Sequence, residues 1–175
     1  MPSDNHFKRA MSLIEADKTR LLGLTVGKHE NVQPGQFVPR SEAQAPPKLT
    51  FAGASPTSTY LVVSLDVDAP FPSLTFLGPI LHWIQSEVKV GASSVLEFDA
   101  PFVANYIGPA PPPGSSPHRY VFFLYEQPAG FNHKDHAPAD GKTLGNMSRI
   151  RYDFDAWAEK IKLDDPVAFN YFTSN

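Results

Sequence analysis

Two short polar segments carry the side chains best suited to chemistry. Asp66 and Asp68 lie two residues apart in Asp66–Pro70, directly after an apolar run, and His118-Arg119-Tyr120 begins a second apolar run. Two acids at positions i and i+2 leave the end of a strand on the same side. A carboxylate beside a buried strand must be paired or hydrogen-bonded, or its pKa rises. The pattern predicts a polar pocket at the strand ends, although an ordinary strand-terminating turn also favours Asp and Pro.

His82 is a third candidate, because it lies within an apolar segment. It could be a satisfied core residue or a pocket residue. Both His82 and His118 can donate a hydrogen bond, and an unperturbed histidine is cationic below about pH 6.5. Tyr120 adds a neutral donor, whereas Arg119 could instead form a surface ion pair. This set of donors favours an anionic ligand, with Asp66 and Asp68 accepting hydrogen bonds from the imidazoles.

Metal and cofactor chemistry has little support in the sequence. The chain has no cysteine, which excludes a disulfide, a thiolate metal site and a cysteine nucleophile. His133, Asp135 and His136 form a small cluster, but their spacing matches no standard metal site. There is no phosphate-binding glycine loop, dinucleotide fingerprint or nucleophile elbow. We therefore expect neither a metal nor a cofactor.

The composition sets the class of protein. With 175 residues, 42% of them hydrophobic, the chain suits one globular domain over residues 1–175. Its 18 prolines exclude a mainly helical fold, because each proline inside a helix costs about 3 kcal/mol. A net charge of −3 gives no basic field for nucleic acid. No apolar run reaches the roughly 18 residues of a membrane span, and no signal segment is visible. We expect a cytoplasmic protein without integral membrane association.

The elements that must position these residues follow from the apolar periodicity. A helix of about 15–18 residues is predicted within the N-terminal segment 1–22. A second helix is predicted from four apolar residues on one face: Phe154, Trp157, Ala158 and Ile161. Asp153 or Asp155 could cap its N-terminus. Between them, short apolar runs alternate with turn residues, which predicts a mainly β, antiparallel β-sandwich. The predicted strands are Leu24–Val26, Lys48–Phe51, Tyr60–Leu65, His82–Ser86 with Val88, and Tyr120–Tyr125.

Two ordered signatures make the sequence resemble the phosphatidylethanolamine-binding protein family. The first is Asp66–Pro70 followed by His82, and the second is the loop Tyr106–Pro112 leading into His118-Arg119-Tyr120. The resemblance covers about residues 20–175, and Phe76–Gln85 is similar to the fungal branch. Relatives include the Raf kinase inhibitor protein, the yeast carboxypeptidase Y inhibitor and plant flowering regulators. Val67 stands where the family usually has proline, and Ile80 and Leu81 precede His82, so a more apolar pocket rim is expected.

The resemblance implies a β-sandwich with one pocket that binds phosphate, a phosphorylated head group such as that of a phospholipid, or a small carboxylate. It places seven residues at that pocket: Asp66, Asp68, His82, Pro111, Pro112, His118 and Tyr120. In this interpretation His118 contacts the anion directly, and Pro111 and Pro112 wall the pocket.

Three functions stay open on these residues. One is a small-anion-binding protein, with or without a regulatory role. A second is an accessory or catalytic partner of a biosynthetic enzyme, cyclising or dimerising an anionic polyketide of the maleic-anhydride type in fungal secondary metabolism. In that case His82, His118, Asp66 and Tyr120 would supply acid–base chemistry. A third is inhibition of a serine carboxypeptidase or a kinase, as in some relatives.

Overall fold

The computed structural model describes residues 2–175, apart from the side chains of residues 2–5 and 140. Two α-helices and nine β-strands make up its main elements. The helices are α1 (Pro2–Ala16) and α2 (Phe154–Lys160). The strands are β1 (Gly23–Thr25), β2 (Gln36–Phe37), β3 (Lys48–Thr50), β4 (Tyr60–Asp66), β5 (Ile80–Val90), β6 (Leu96–Glu97), β7 (Phe102–Ala104), β8 (His118–Glu126) and β9 (Ala168–Ser174).

One large curled sheet dominates the fold. Its strand order is β2-β9-β8-β4-β5-β6, and β7 also pairs with β5. The strands pair antiparallel except for β2, which runs parallel to β9 through Gln36 and Phe37. Among the described strands, β1 and β3 pair with each other outside this sheet, as a two-stranded ribbon. The mainly β prediction is confirmed, but a plain antiparallel sandwich is wrong, because the sheet is mixed and its second layer is only this ribbon.

The central strands carry apolar side chains on both sides because both faces of the sheet are covered. In β4, Val62 faces the ribbon with Trp83 and Phe122, whereas Leu61 and Val63 belong to the core beneath the two helices. All seven residues of β4 are buried. The C-terminal segment forms strand β9, which pairs antiparallel with β8. This double burial holds β4 and β8 side by side, so that their ends can carry a site.

The helices cover one face of the sheet. The N-terminal helix is confirmed but ends at Ala16, where Asp17 caps a short 3-10 turn by accepting a hydrogen bond from the Thr19 amide. Its Phe7 packs edge-on against Phe169 at 5.7 Å. At α2 the cap is Asp153, whose side chain accepts from the Ala156 amide 3.1 Å away. Within the described residues, neither helix combines the length and apolarity needed to cross a bilayer.

Truncating the centre of the helix-side core should destabilise the fold. Phe123 is fully buried, 5.1 Å from the Phe169 ring and stacked on Phe154. We expect Phe123→Ala to lower the free energy of unfolding by about 3–5 kcal/mol, through lost burial and a residual cavity. Phe76→Ala, at a side chain 49% exposed, is the matched control and should cost less than about 1 kcal/mol. Equal losses in urea unfolding would contradict this assignment of the core.

Candidate functional site

A buried ion pair joins the ends of β4 and β8. Asp66 is aligned with Tyr120 across the two strands, which brings the carboxylate next to His118. His118 Nδ1 donates to Asp66 Oδ2 at 2.8 Å, and both side chains are at least 96% buried. The second oxygen, Oδ1, accepts from the Asp68 amide at 2.9 Å. The prediction that a carboxylate beside the buried strand must be paired is confirmed for Asp66.

The hydrogen bonds around His118 define its protonation. The Ser115 hydroxyl donates to the Ser116 carbonyl at 2.8 Å, so it accepts from His118 Nε2, 2.9 Å away. With Nδ1 donating to Asp66, both ring nitrogens carry a proton and the ring is an imidazolium. Burial alone would lower the pKa of His118, but the hydrogen bond and charge of Asp66, together with the charge of Asp68, raise it above its ordinary value. Both nitrogens have protein partners in this arrangement, and the expected direct contact between His118 and a ligand stays a prediction.

Asp68 serves a different partner from the one predicted. Its Oδ2 accepts from the Arg119 amide at 2.8 Å and from Arg119 Nε at 2.9 Å, and its Oδ1 accepts from Nη2 at 2.7 Å. The Arg119 guanidinium also lies 4.6 Å from the centre of the Phe7 ring. Asp68 therefore fixes the start of β8 and its contact with α1, instead of orienting an imidazole.

His82 is held in the opposite protonation state. Its Nδ1 lies 2.7 Å from the Ile107 carbonyl oxygen, and its ring meets Tyr120 edge-on at 5.1 Å. Burial is the largest cause of a lowered pKa for His82. The charges of Arg149 and His118 add smaller contributions in the same direction. Burial, helped by these two charges, outweighs the opposing effects of Asp66 and Ile107 on the pKa. The imidazole is thus neutral near pH 7.

A cavity of about 220 Å³ opens beside these groups. Of the seven residues predicted for the pocket, Asp66 and His82 line it. The other lining residues are Ile80, Ile107, Gly108, Ala110, Asn146, Arg149 and Ile150. The remaining five predicted residues are not among those that line it: Asp68, Pro111, Pro112, His118 and Tyr120.

Tyr120 packs beside the cavity, against the rings of both histidines. Its ring stacks on His118 at 6.4 Å and contacts His82 edge-on, so it packs against both histidines. Burial raises the pKa of Tyr120 far above the ordinary value, and a backbone interaction with Ala110 opposes that rise only in part. The phenol is a packing group between the two imidazoles.

Arg149 is the cavity residue that sequence reasoning missed. It is fully buried, and its guanidinium donates to five oxygens between 2.6 and 3.4 Å away. Four are backbone carbonyls, of Leu144, Leu81, His82 and Asn105, and the fifth is the Asn105 side-chain oxygen. Among the described residues no carboxylate pairs with Arg149. Its sequence context gives no signal, since Arg151, two positions along, is exposed and donates to the Phe76 carbonyl.

The histidine cluster near the start of the 133–141 segment forms a different kind of contact. His133 Nδ1 lies 3.3 Å from Glu87, and the His136 ring stacks on Phe131 at 5.0 Å. In the part of the chain that the structure describes, no three side chains of the metal-ligating types converge. His133 and His136 are partly buried by these contacts, and Asp135 is exposed.

Comparison with known proteins identifies the family of this chain. A sequence model described as phosphatidylethanolamine-binding protein matches residues 28–172. The chain belongs to the phosphatidylethanolamine-binding protein family. Both signatures lie inside the matched region, so the resemblance drawn from them is confirmed. The cavity beside His82 lies within this family fold.

Similar proteins include fungal members of the family. "Phomoidride biosynthesis cluster protein N" of Talaromyces stipitatus is 30% identical over 169 residues, covering 86% of this chain and 82% of that protein. The carboxypeptidase Y inhibitor of Saccharomyces cerevisiae is 28% identical, over 81% of this chain and 67% of its own.

Solved structures share the fold. The carboxypeptidase Y inhibitor, crystallised in complex with its cognate proteinase, superposes with a TM-score of 0.73 at 22% identity. That alignment covers 98% of this chain and 93% of the inhibitor. The family protein from Plasmodium vivax gives a TM-score of 0.65 at 17% identity, over 88% of this chain and 84% of its own.

Removing His118 should destabilise the protein itself. His118→Ala leaves the Asp66 carboxylate buried without its cationic partner, which costs about 3–5 kcal/mol in comparable buried pairs. His133→Ala, at a ring that contacts an exposed glutamate, is the control and should cost less than about 1 kcal/mol. Denaturant unfolding measures both. A loss below about 1 kcal/mol for His118→Ala would contradict the buried-pair assignment.

The two histidines should titrate on opposite sides of the ordinary value. We expect NMR midpoints above about pH 6.5 for His118 and below it for His82, given their partners. The stability that the Asp66–His118 pair contributes is complete below about pH 6.5 and is lost as pH rises through the raised pKa of His118. Two midpoints shifted in the same direction would contradict the proposed hydrogen-bond assignments.

Proposed function

We propose that the protein binds a small anion with an apolar body in the cavity beside His82. The observation that carries this proposal is Arg149, a buried cation in the cavity wall whose partners are all neutral oxygens. Arginine stays protonated in proteins, so its charge persists. A buried charge that no opposite charge offsets is costly, and an anion in the adjoining cavity would offset it.

The charges around the cavity also favour a negatively charged ligand. The carboxylate of Asp66 is offset by the imidazolium of His118, with which it pairs. His82 is neutral, so Arg149 leaves the site with one net positive charge. In a cavity with low-dielectric walls such a charge acts more strongly than it would in water.

Size and lining restrict the body of the ligand. Ile80, Ile107 and Ile150 supply apolar wall, and the volume of about 220 Å³ lies below the range of typical drug-sized pockets. The space suits phosphate, a phosphorylated head group or a short carboxylate. The acyl chains of an intact phospholipid would have to stay outside.

Obstructing the cavity mouth tests this function. Hexanoate should bind the wild-type protein in calorimetric titration, and its neutral isostere hexanamide should not. Ala110→Phe, at an exposed cavity-lining residue, should weaken hexanoate binding at least about tenfold, or about 1.4 kcal/mol. Ala129→Phe is the matched control at an exposed alanine that lines a separate groove. Equal binding of the amide, or no effect of Ala110→Phe, would refute the proposal.

A second candidate function is a role in secondary metabolism, acting on an anionic polyketide of the maleic-anhydride type. It is favoured by the similarity to the fungal protein named for phomoidride biosynthesis. The same titration separates it from simple anion binding. Tighter binding of dimethylmaleate than of both hexanoate and phosphate would favour the biosynthetic role, and the reverse order would count against it. Inhibition of a carboxypeptidase stays an alternative, supported by the similarity to the yeast inhibitor.

A further inference from the structure

We infer that His82 is the proton acceptor of the cavity and takes up one proton when an anion binds there. The inference rests on the proposed anion-binding function and adds to it that binding requires the uptake of one proton. The ligand is captured either as the acid or as its anion together with a proton from solvent. Binding is therefore coupled to pH through one named nitrogen, Nε2 of His82.

The hydrogen bond to Ile107 determines which nitrogen is free. A backbone carbonyl can only accept, so the nitrogen 2.7 Å from it, Nδ1, must carry the proton. In the neutral ring Nε2 then holds a lone pair. It makes no hydrogen bond to any described residue, and the ring lines the cavity. A ligand that enters the cavity meets an acceptor.

Charged and titratable groups surround His82 from three directions. Asp66 faces it from β4, His118 and Tyr120 from β8, and Arg149 from the segment that follows residue 145. The last of these also donates to the backbone oxygen of His82 itself. The two cations and burial oppose protonation of the ring, and only Asp66 and the Ile107 carbonyl favour it. These contributions keep the pKa of His82 below its ordinary value while the cavity holds no anion.

An anion in the cavity reverses that balance. Its oxygen would repel the Nε2 lone pair, but it accepts a charge-assisted hydrogen bond from Nε2–H once the ring is protonated. The anion also offsets the charge of Arg149, one of the groups that lower the pKa of His82. If the ligand arrives as the acid, its O–H bond breaks, the electron pair stays on oxygen and the proton forms the Nε2–H bond. If it arrives as the anion, the proton comes from a solvent or buffer acid.

The coupling gives a measurable pH dependence. Between the pKa of His82 in the empty protein and its higher pKa in the complex, each anion bound takes up one proton. The affinity then falls about tenfold for each pH unit of increase. Hexanoate is a suitable probe, because its carboxylate stays ionised above about pH 6 and does not itself titrate in this range.

The experiment measures proton uptake during hexanoate binding. Calorimetric titrations between about pH 6 and pH 8, in two buffers of different ionisation enthalpy, count the protons, and nitrogen NMR of the histidine rings locates them. We expect close to one proton per hexanoate and conversion of His82 Nε2 from acceptor to N–H. His82→Gln keeps polar atoms near that position but cannot take up a proton, so its binding should be nearly independent of pH. His133→Gln, at a ring beside Glu87, should behave as wild type.

Each outcome decides the question. Binding with one proton taken up at His82 supports the inference. Binding without proton uptake, or uptake that persists in His82→Gln, overturns it and leaves the proposed anion-binding function standing. Failure of hexanoate to bind at any pH would overturn both the proton-uptake inference and the proposed anion-binding function. The ring NMR of the wild-type protein gives this answer even if His82→Gln does not fold.

Discussion

The buried ion pair between Asp66 and His118 is the constraint on which the rest of this site depends. Two charges removed from water are tolerated only when every remaining hydrogen-bonding position is satisfied. Here the second carboxylate oxygen accepts from the Asp68 amide, and the second imidazole nitrogen is held by Ser115. The segments on either side of the pair must therefore follow fixed paths, because a shift of either would leave a buried polar atom without a partner. These two paths determine where the cavity can lie.

The same requirement separates two histidines that are chemically identical. His118 faces a carboxylate and a hydroxyl whose own proton is already donated, so both of its nitrogens donate. His82 faces a carbonyl on one side and the cavity on the other, next to the buried Arg149. Both rings are almost fully buried. The difference between their protonation states therefore comes from their hydrogen-bonding and charged neighbours and not from a difference in exposure. One imidazole completes the scaffold, and the other is left with a free lone pair.

Much of this arrangement could be predicted from the sequence, and the rest depended on contacts between distant residues. The apolar runs correctly indicate β4, β5 and β8, and two acids after a buried strand correctly indicate a paired Asp66. The parallel pairing of β2 with β9 joins two residues to a strand more than 130 positions away, so no local pattern predicts it. Arg149 was missed for the same reason. Its five acceptors come from three separate segments, and only the folded chain shows that none is a carboxylate.

Several residues of the family signatures stabilise the fold and do not line the cavity. Asp68, His118 and Tyr120 are among their most distinctive residues, yet each packs or pairs within the protein and does not line the cavity. Substitutions there act first on stability, because they leave buried groups without partners. The cavity wall combines signature residues, such as Asp66 and His82, with residues outside both signatures, such as Ile80, Arg149 and Ile150. A chain can therefore keep both signatures and still differ in part of its cavity wall, because the signatures leave those outside positions open.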